Sequence, residues 1–539
     1  MAFIDARGIE DGASLSADLC IVGAGACGTT LAAELEGSSS SILLVESGGF
    51  GPDEETQALY DLESVGYPIR EKFMSRARYY GGSCNLWAGR NMLLEPIDTA
   101  RRSWVAGSGW PIPYEEIASY HARAARALRL PSIEKFDPST YASRMTRDEK
   151  ALFAVGRLRP AISLWGTKPR RFGAAHRKRL RRSANTRVLL QANAVRVVLD
   201  REGRAVESIE VRTLAGKRIE IRARSFVLAC GGIENARLLL VSRDRRPDGV
   251  GNGSGAVGRF FMDHPRAVYG TVSLRKGNRV PLIRGIPLRD GKVQFGIGLS
   301  EEIQRGEGLL DHYATLEARY SAYVEQKYET MVQSAKVLLR RGYAGSRWKI
   351  GRAEFGEIPG MIYLLTPKEL MPHFVYRWMT TIRRVWNPES GGNERVVVYF
   401  CEQPPDPESR VALSDEKDAL GMARVRLHWK IPTEVSRTLF RLQDLLAERL
   451  AAEGIGTLTP GEGEPRFSDA SHHLGTTRMS DDPRDGVVDR NCRVHEVRNL
   501  YMAGGSVFPA TGHSSPTLTM IALALRLADH LRDESACTI

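Results

Sequence analysis

Short apolar runs broken by glycine turns set the character of the amino-terminal part of the chain. Residues 19–22 (LCIV) form a compact apolar run of the kind that becomes a strand buried on both faces. Gly23, Gly25 and Gly28 follow in the pattern G-x-G-x-x-G, residues 29–35 have helical spacing, and residues 42–45 (ILLV) are a second apolar run that ends in Glu46. Strand, glycine-rich turn, helix, strand and acid in this order predict a dinucleotide site. Gly23 allows the tight turn, Gly25 lets backbone approach a pyrophosphate, and Gly28 lets helix and strand pack closely. The helix N-terminus offers unpaired N–H groups and partial positive charge, and Glu46 offers a ribose acceptor. The motif by itself suits FAD as well as NAD.

The pattern recurs and then changes. Residues 114–128 have helical apolar spacing, 186–199 read as strand, turn, strand, and 205–222 alternate like a hairpin around 214–216. Residues 226–229 are another buried run, feeding a Cys-Gly-Gly turn and a helix, so a second strand–turn–helix unit is expected. Residues 253–265 read as a loop. Beyond it, 267–299 are strand-rich, 308–342 mix helical and strand-like spacing, and 354–383 are aromatic-rich and interrupted by proline. Residues 395–400 and 423–429 are expected as strands of one antiparallel sheet joined by a turn-rich segment, and 433–453 as an amphipathic helix. Nucleotide-binding elements thus occur at the start, in the middle and near the end, with a β-rich lobe inserted between them. Such a layout favours a ligand cleft between lobes. There is no internal repeat.

Composition narrows the class. A chain of 539 residues supports two or more lobes, and 42% hydrophobic with 26% charged residues is ordinary for a soluble globular protein. No apolar run is long enough to suggest a membrane span, and the first dozen residues lack the pattern of a signal peptide, so a cytoplasmic protein is expected. Seven scattered cysteines, odd in number and without a C-x-x-C pair, fit that reading, and no metal site is expected. The net charge of +12 is concentrated in residues 157–187. No nucleic-acid motif accompanies it, so it reads as a solvated basic face or a wall attracting anionic ligands, with no nucleic-acid partner.

The carboxy-terminal end decides the class. It carries SHHLGTTRM at 471–479, NLYMAGGS at 499–506 and FPATGHSSPTLT at 508–519, followed by a helical run. Together with VGAGACG, VESGG, YYGGSCNLWAGR, LACGGIENARLLL, VGRFFMDHP and EQPPDPESRVALS, these segments resemble the glucose–methanol–choline (GMC) oxidoreductase family over nearly the whole chain. The similarity points to the branch with pyranose oxidases, bacterial sugar dehydrogenases and glycoside oxidases. It implies an α/β (α+β overall) protein in which a Rossmann-like FAD-binding domain, residues 1–112, 186–265 and 465–539, carries an inserted antiparallel-sheet substrate-binding domain with lid segments, residues 113–185 and 266–464. It also implies FAD as cofactor and oxidation of a CH–OH group of a sugar, glycoside or related polyol by hydride transfer to flavin N5, with oxygen or another acceptor taking the electrons. A non-sugar alcohol, an aminosugar and a non-redox lyase reaction are the alternatives within the resemblance.

Residue by residue, the resemblance assigns Gly23, Gly25, Gly28 and Glu46 to the ADP half of the cofactor and Val195 to the backbone position beside adenine. Gly82, Ser83 and Asn85 fall in the loop under the flavin, Gly505 and Ser506 at a late flavin contact, and Pro516 and Thr517 at the start of a helix aimed at the pyrimidine edge. A helix N-terminus there suits the anionic reduced flavin. His472 matches the family's catalytic histidine, and an imidazole suits the removal of a hydroxyl proton as hydride leaves; its neighbour His473 is expected to point elsewhere. Two positions depart from the pattern. Leu86 stands where covalently flavinylated relatives have the linking histidine, so FAD is expected to be non-covalent. Ser515 stands where the histidine's partner is usually Asn or His, which leaves Ser515 and His513 as competing candidates.

Overall fold

In this computed structural model the described residues are 2–69, 75–318 and 393–536. An eight-stranded sheet is built around the amino-terminal motif. Its strands run in the order Phe3–Asp5, Thr186–Leu190, Ile42–Val45, Ala13–Val22, Arg218–Leu228, Val206–Arg212 and Asn193–Leu199, with Leu500–Met502 also paired to Arg218–Leu228. The pairings among the first five strands, and that of Leu500–Met502, are parallel; the remaining two are antiparallel. Leu19, Cys20, Ile21 and Val22 are all buried, pairing with residues 42–45 on one side and 225–228 on the other. A parallel strand covered on both faces has no polar face, which is why its sequence is a continuous apolar run.

A seven-stranded antiparallel sheet forms the second layer system: Ile286–Pro287, Gly291–Leu299, Tyr313–Ala318, Glu394–Phe400, Arg266–Leu274 and Gly456–Thr459 in order, with Leu158–Gly166 on the outer side of Gly291–Leu299. A third sheet contains Arg410–Lys417, Ala423–Trp429 and Leu62–Gly66. The closing helix, Thr517–Ala536, serves two hydrophobic cores at once. Leu523, Ala524, Leu527 and Leu531 join the core of the parallel sheet, while Leu518, Ile521, Ala522 and Leu525 join that of the antiparallel sheet.

Three expectations need correction. Residues 395–400 and 423–429 lie in different sheets: the joining segment contains a strand of its own, Arg410–Lys417, which takes the antiparallel edge of Ala423–Trp429, and Leu62–Gly66 takes the other edge in parallel. The second arm of the 205–222 hairpin and the run at 226–229 are one eleven-residue strand, Arg218–Leu228. The 114–128 helix is two, Tyr114–Ser119 and His121–Leu128, because the chain tightens at Tyr120, where its N–H donates to the Ile117 carbonyl at 3.1 Å. The aromatic-rich stretch 354–383 and the part of 308–342 beyond Ala318 lie outside the described residues.

Candidate active site

Helix Ala26–Glu34 begins at Gly25 with no side-chain cap, so its first amides are left for an anion. Gly23 adopts φ +105°, and a Cβ there would sit 2.6 Å from the Ala229 carbonyl oxygen; a Cβ on Gly28 would sit 1.9 Å from the Gly23 carbonyl oxygen. Both contacts exclude any side chain. A Cβ on Gly25, or on Gly231 of the second glycine turn, meets nothing within 4 Å. The two turns therefore face open space, the cradle a pyrophosphate requires.

Glu46 is buried and does more than await a ribose. Its carboxylate accepts the Ala24 N–H at 2.9 Å and the Gly48 N–H at 3.1 Å, bracing the glycine turn against the end of its strand. Burial pushes its carboxyl up, and those two amides oppose the shift. The Ala192 N–H donates to the Glu46 carbonyl at 3.0 Å, which brings strand Asn193–Leu199, with Val195 buried in it, beside the acid. The Gly82–Asn85 turn lies directly on the glycine motif: a Cβ on Gly82 would be 2.8 Å from the Gly25 Cα. Ser83 Oγ accepts from the Ala77 N–H at 3.2 Å, and Asn85 Nδ2 donates to the Tyr80 carbonyl at 3.1 Å.

The late signature is stitched onto this cradle. Asn235 accepts the Cys230 N–H at 2.8 Å and donates to Ser506 Oγ at 2.9 Å, tying the second glycine turn to the turn Gly505–Val507. That turn in turn accepts the amides of Gly475, Thr477 and Met479 at 3.1, 2.8 and 2.9 Å. The segment bearing His472 is thus held to the same turn as Ser506.

His472 meets two residues from the loop before strand Arg266–Leu274. The Asp263 carboxylate accepts the N–H groups of His264 at 2.6 Å, Ala470 at 3.1 Å and His472 at 3.2 Å. The rings of His264 and His472 meet edge to face, 5.1 Å between centroids, with their Nδ1 atoms 3.1 Å apart. His264 Nε2 reaches the Gly512 carbonyl at 3.1 Å. Burial pushes His264 down to about 4, and burial, reinforced by Asp469, pushes Asp263 up to about 7. His473 faces Phe261, with ring centroids 5.8 Å apart.

His513 is turned to a different set of partners. Its Nδ1 donates to Asp311 Oδ2 at 2.7 Å and lies 3.6 Å from Asp98. Burial opposes a charge here, but Asp311 and the hydrogen bonds to both carboxylates outweigh it and raise the imidazole to about 10. Arg159 donates to both Asp311 oxygens, at 2.8 and 2.9 Å, and to Glu95 at 2.5 Å. Burial disfavours the Asp311 anion, yet Arg159 and His513 hold it below the ordinary carboxylate range. An imidazolium donates hydrogen bonds and accepts none. Ser515 and Pro516 are buried in the same run, and the Pro516 carbonyl accepts the Met520 N–H at 2.8 Å as helix Thr517–Ala536 begins. Beside His513, Tyr313 stacks on Phe400 at 4.9 Å, and the Arg90 and Arg266 guanidiniums lie over Phe400 at 4.7 and 5.5 Å.

Four polar residues at this centre carry no sequence-based assignment: Asp263, His264, Asp311 and Asp98. The available signal was acids and histidines set in apolar surroundings, as in FFMDHP and LLDHY. Such groups are buried only when paired.

Comparison with known proteins places the chain. The C-terminal GMC oxidoreductase domain matches residues 405–524 and the N-terminal domain residues 168–266. The fructose dehydrogenase large subunit of Gluconobacter japonicus is 28% identical over 320 residues, 58% of this chain and 48% of that subunit, so the match spans about half of the relative. Paromamine 6'-oxidase of Streptomyces fradiae is 25% identical over 556 aligned residues, 95% of this chain and 90% of the relative. The structure of a variant of formate oxidase from Aspergillus oryzae RIB40 superposes with a TM-score of 0.56 at 18% identity, covering 98% of this chain and 100% of that one.

Proposed function

From a chain that belongs to the GMC oxidoreductase family of FAD-dependent enzymes, we propose an enzyme that oxidises a CH–OH group of a sugar, glycoside or related polyol to a carbonyl. The residues fit FAD: the open glycine cradle, the uncapped helix at Gly25 and the buried acid at Glu46 match an ADP moiety. When bound, FAD supplies the two-electron acceptor for the hydride lost by the carbinol carbon. In this reading Gly82, Ser83, Asn85, Gly505, Ser506, Pro516 and Thr517 frame its flavin end, and Val195 its adenine end. Leu86 cannot form a histidyl link, which supports non-covalent binding. The division into an FAD-binding part, 1–112, 186–265 and 465–539, and a substrate-binding part, 113–185 and 266–464, belongs to the same proposal.

One observation carries the chemistry: the loop of His472 is hydrogen-bonded to the Gly505–Val507 turn and His472 itself to Asp263. A base fixed this way takes the substrate hydroxyl proton. His513, held as a cation by Asp311, cannot take that proton, so the base is His472, with Ser515 offering a second hydrogen bond to the substrate oxygen. The full-length similarity to paromamine 6'-oxidase favours an aminosugar as a second reading. The similarity to the large subunit of a fructose dehydrogenase keeps a neutral sugar or glycoside as the first reading.

Oxygen or another acceptor completes the cycle. Among the described residues no helix is long and apolar enough to cross a membrane. The six described cysteines are free thiols, which supports a reducing, cytoplasmic setting. The test is anaerobic bleaching of the flavin across a panel of neutral sugars, glycosides, aminosugars and simple alcohols. Bleaching by a neutral sugar or glycoside is the expected result; bleaching only by aminosugars selects the second reading, and none by any alcohol refutes the assignment.

A further inference from the structure

We infer that His264 is a positioning residue that fixes which nitrogen of His472 carries the proton; this rests on the reading of His472 as the base. The Gly512 carbonyl can only accept a hydrogen bond, so His264 Nε2, 3.1 Å away, carries a hydrogen. A neutral imidazole has one N–H, and His264 Nδ1 is therefore a lone pair. That lone pair lies 3.1 Å from His472 Nδ1, which must then be the donor. The proton of neutral His472 sits on Nδ1, and its lone pair is on Nε2. The chain Gly512 C=O, His264, His472 thus sets the tautomer of the base from a backbone carbonyl.

Three features make the device hold. His264 is buried, with 1% of its surface exposed, and burial keeps it neutral down to about pH 4, so its Nδ1 lone pair persists across any working range. The same dipeptide fixes the backbone: Asp263 accepts the His472 N–H, so one side chain anchors main chain while its neighbour orients the ring. Uptake of the substrate proton needs no rearrangement either. The hydroxyl O–H bond breaks, the proton goes to His472 Nε2, and Nδ1–H continues to donate to His264. The carbonyl that starts the chain belongs to Gly512, next to His513 and three residues before Ser515, so the segment preceding helix Thr517–Ala536 and the base are registered to each other.

The test uses FAD-loaded enzyme labelled with 15N-histidine, the His472 signals being identified by their loss in His472→Ala. The native spectrum should show Nδ1 protonated and Nε2 unprotonated. His264→Phe keeps a ring and removes the acceptor. It should move the His472 proton toward Nε2 and slow single-turnover flavin reduction between about tenfold and about a thousandfold, with FAD content and substrate dissociation constant unchanged. His264→Asn, whose Oδ1 can accept from His472 Nδ1, should keep the native tautomer and reduce flavin at least about tenfold faster than the Phe variant. A native spectrum with the proton on Nε2 overturns the inference, as does a Phe variant with native tautomer and rate, or an Asn variant as slow as the Phe one. Should His264→Phe fail to fold, the native spectrum and the Asn variant decide. The spectrum reads the hydrogen bond whether or not His472 is the base. Unimpaired reduction by His472→Ala would sink the proposed function and leave the tautomer assignment standing.

Discussion

Asp311→Asn offers a quantitative probe of the buried charge cluster. Asp311 gives one oxygen to His513 and both to Arg159, and it is fully buried. Raising His513 from its ordinary 6.5 to about 10 represents on the order of 5 kcal/mol of preference for the cation. Burial without an anionic partner drives a histidine the other way, as His121 shows at about 4. Removing the Asp311 charge leaves His513 with Asp98, 3.6 Å away, whose own carboxyl is raised by burial and by Asp311. His513 should then titrate below about 8, a loss of at least about 3 kcal/mol of that preference. The sign for stability follows. The folded value lies above the unfolded one, so the pairing stabilises fully below about 6.5 and is lost as pH rises through about 10; the variant should lack this alkaline loss. Histidine-selective NMR titration of the holoenzyme, with His513→Gln to identify the signal, measures both midpoints. A native His513 that titrates below about 8, or an unchanged midpoint in Asp311→Asn, would refute the ion pair.

Four further outcomes are expected. Acid precipitation should release all flavin into the supernatant, because Leu86 cannot carry a histidyl link; colour in the pellet would contradict non-covalent binding. Glu46→Ala should weaken FAD binding by about tenfold or more while leaving the chemistry of bound flavin intact, since it removes the buried carboxylate that accepts two backbone N–H groups as well as the ribose contact; full flavin content at normal affinity rules this out. His472→Ala should slow flavin reduction by about a hundredfold or more with FAD content unchanged, read by anaerobic stopped flow. Ser515→Ala should slow reduction by about tenfold, and Ser515→Asn should restore much of it for small alcohols but not bulky glycosides; a silent Ser515→Ala together with an inactive His513→Ala would transfer the partner role to His513.

What the sequence made legible was local. Gly23, Gly25, Gly28 and Glu46 lie within 24 consecutive positions, and each constraint acts on neighbouring backbone, so the strand–turn–helix–strand unit could be read directly. Strand partners are not local. Residues 395–400 and 423–429 both look like sheet, but apolar alternation does not say which edge they join, and Arg410–Lys417 was hidden in a segment rich in proline and aspartate. The candidate site divides the same way. His472 was recognisable from its motif, whereas the contact that orients it comes from His264, 208 positions away, and the acid holding His513 from 202 away. No periodicity records such meetings; only an unexplained acid or imidazole among apolar residues hints at them.

The strands Tyr313–Ala318 and Glu394–Phe400 have a consequence for how such an enzyme can diversify. They are adjacent and antiparallel in the middle of the seven-stranded sheet, and Ala318 sits opposite Arg395. Whatever the chain does between these two residues, it departs and returns at one point. Closing such an excursion costs only about 0.6 kcal/mol more for each doubling of its length. The entropic cost of joining the strands that carry Tyr313 and Phe400 therefore changes little with insertions or deletions at this junction. The pairing of Ala318 with Arg395 thus makes this junction a point where chain length can change at little entropic cost to the register of the two strands.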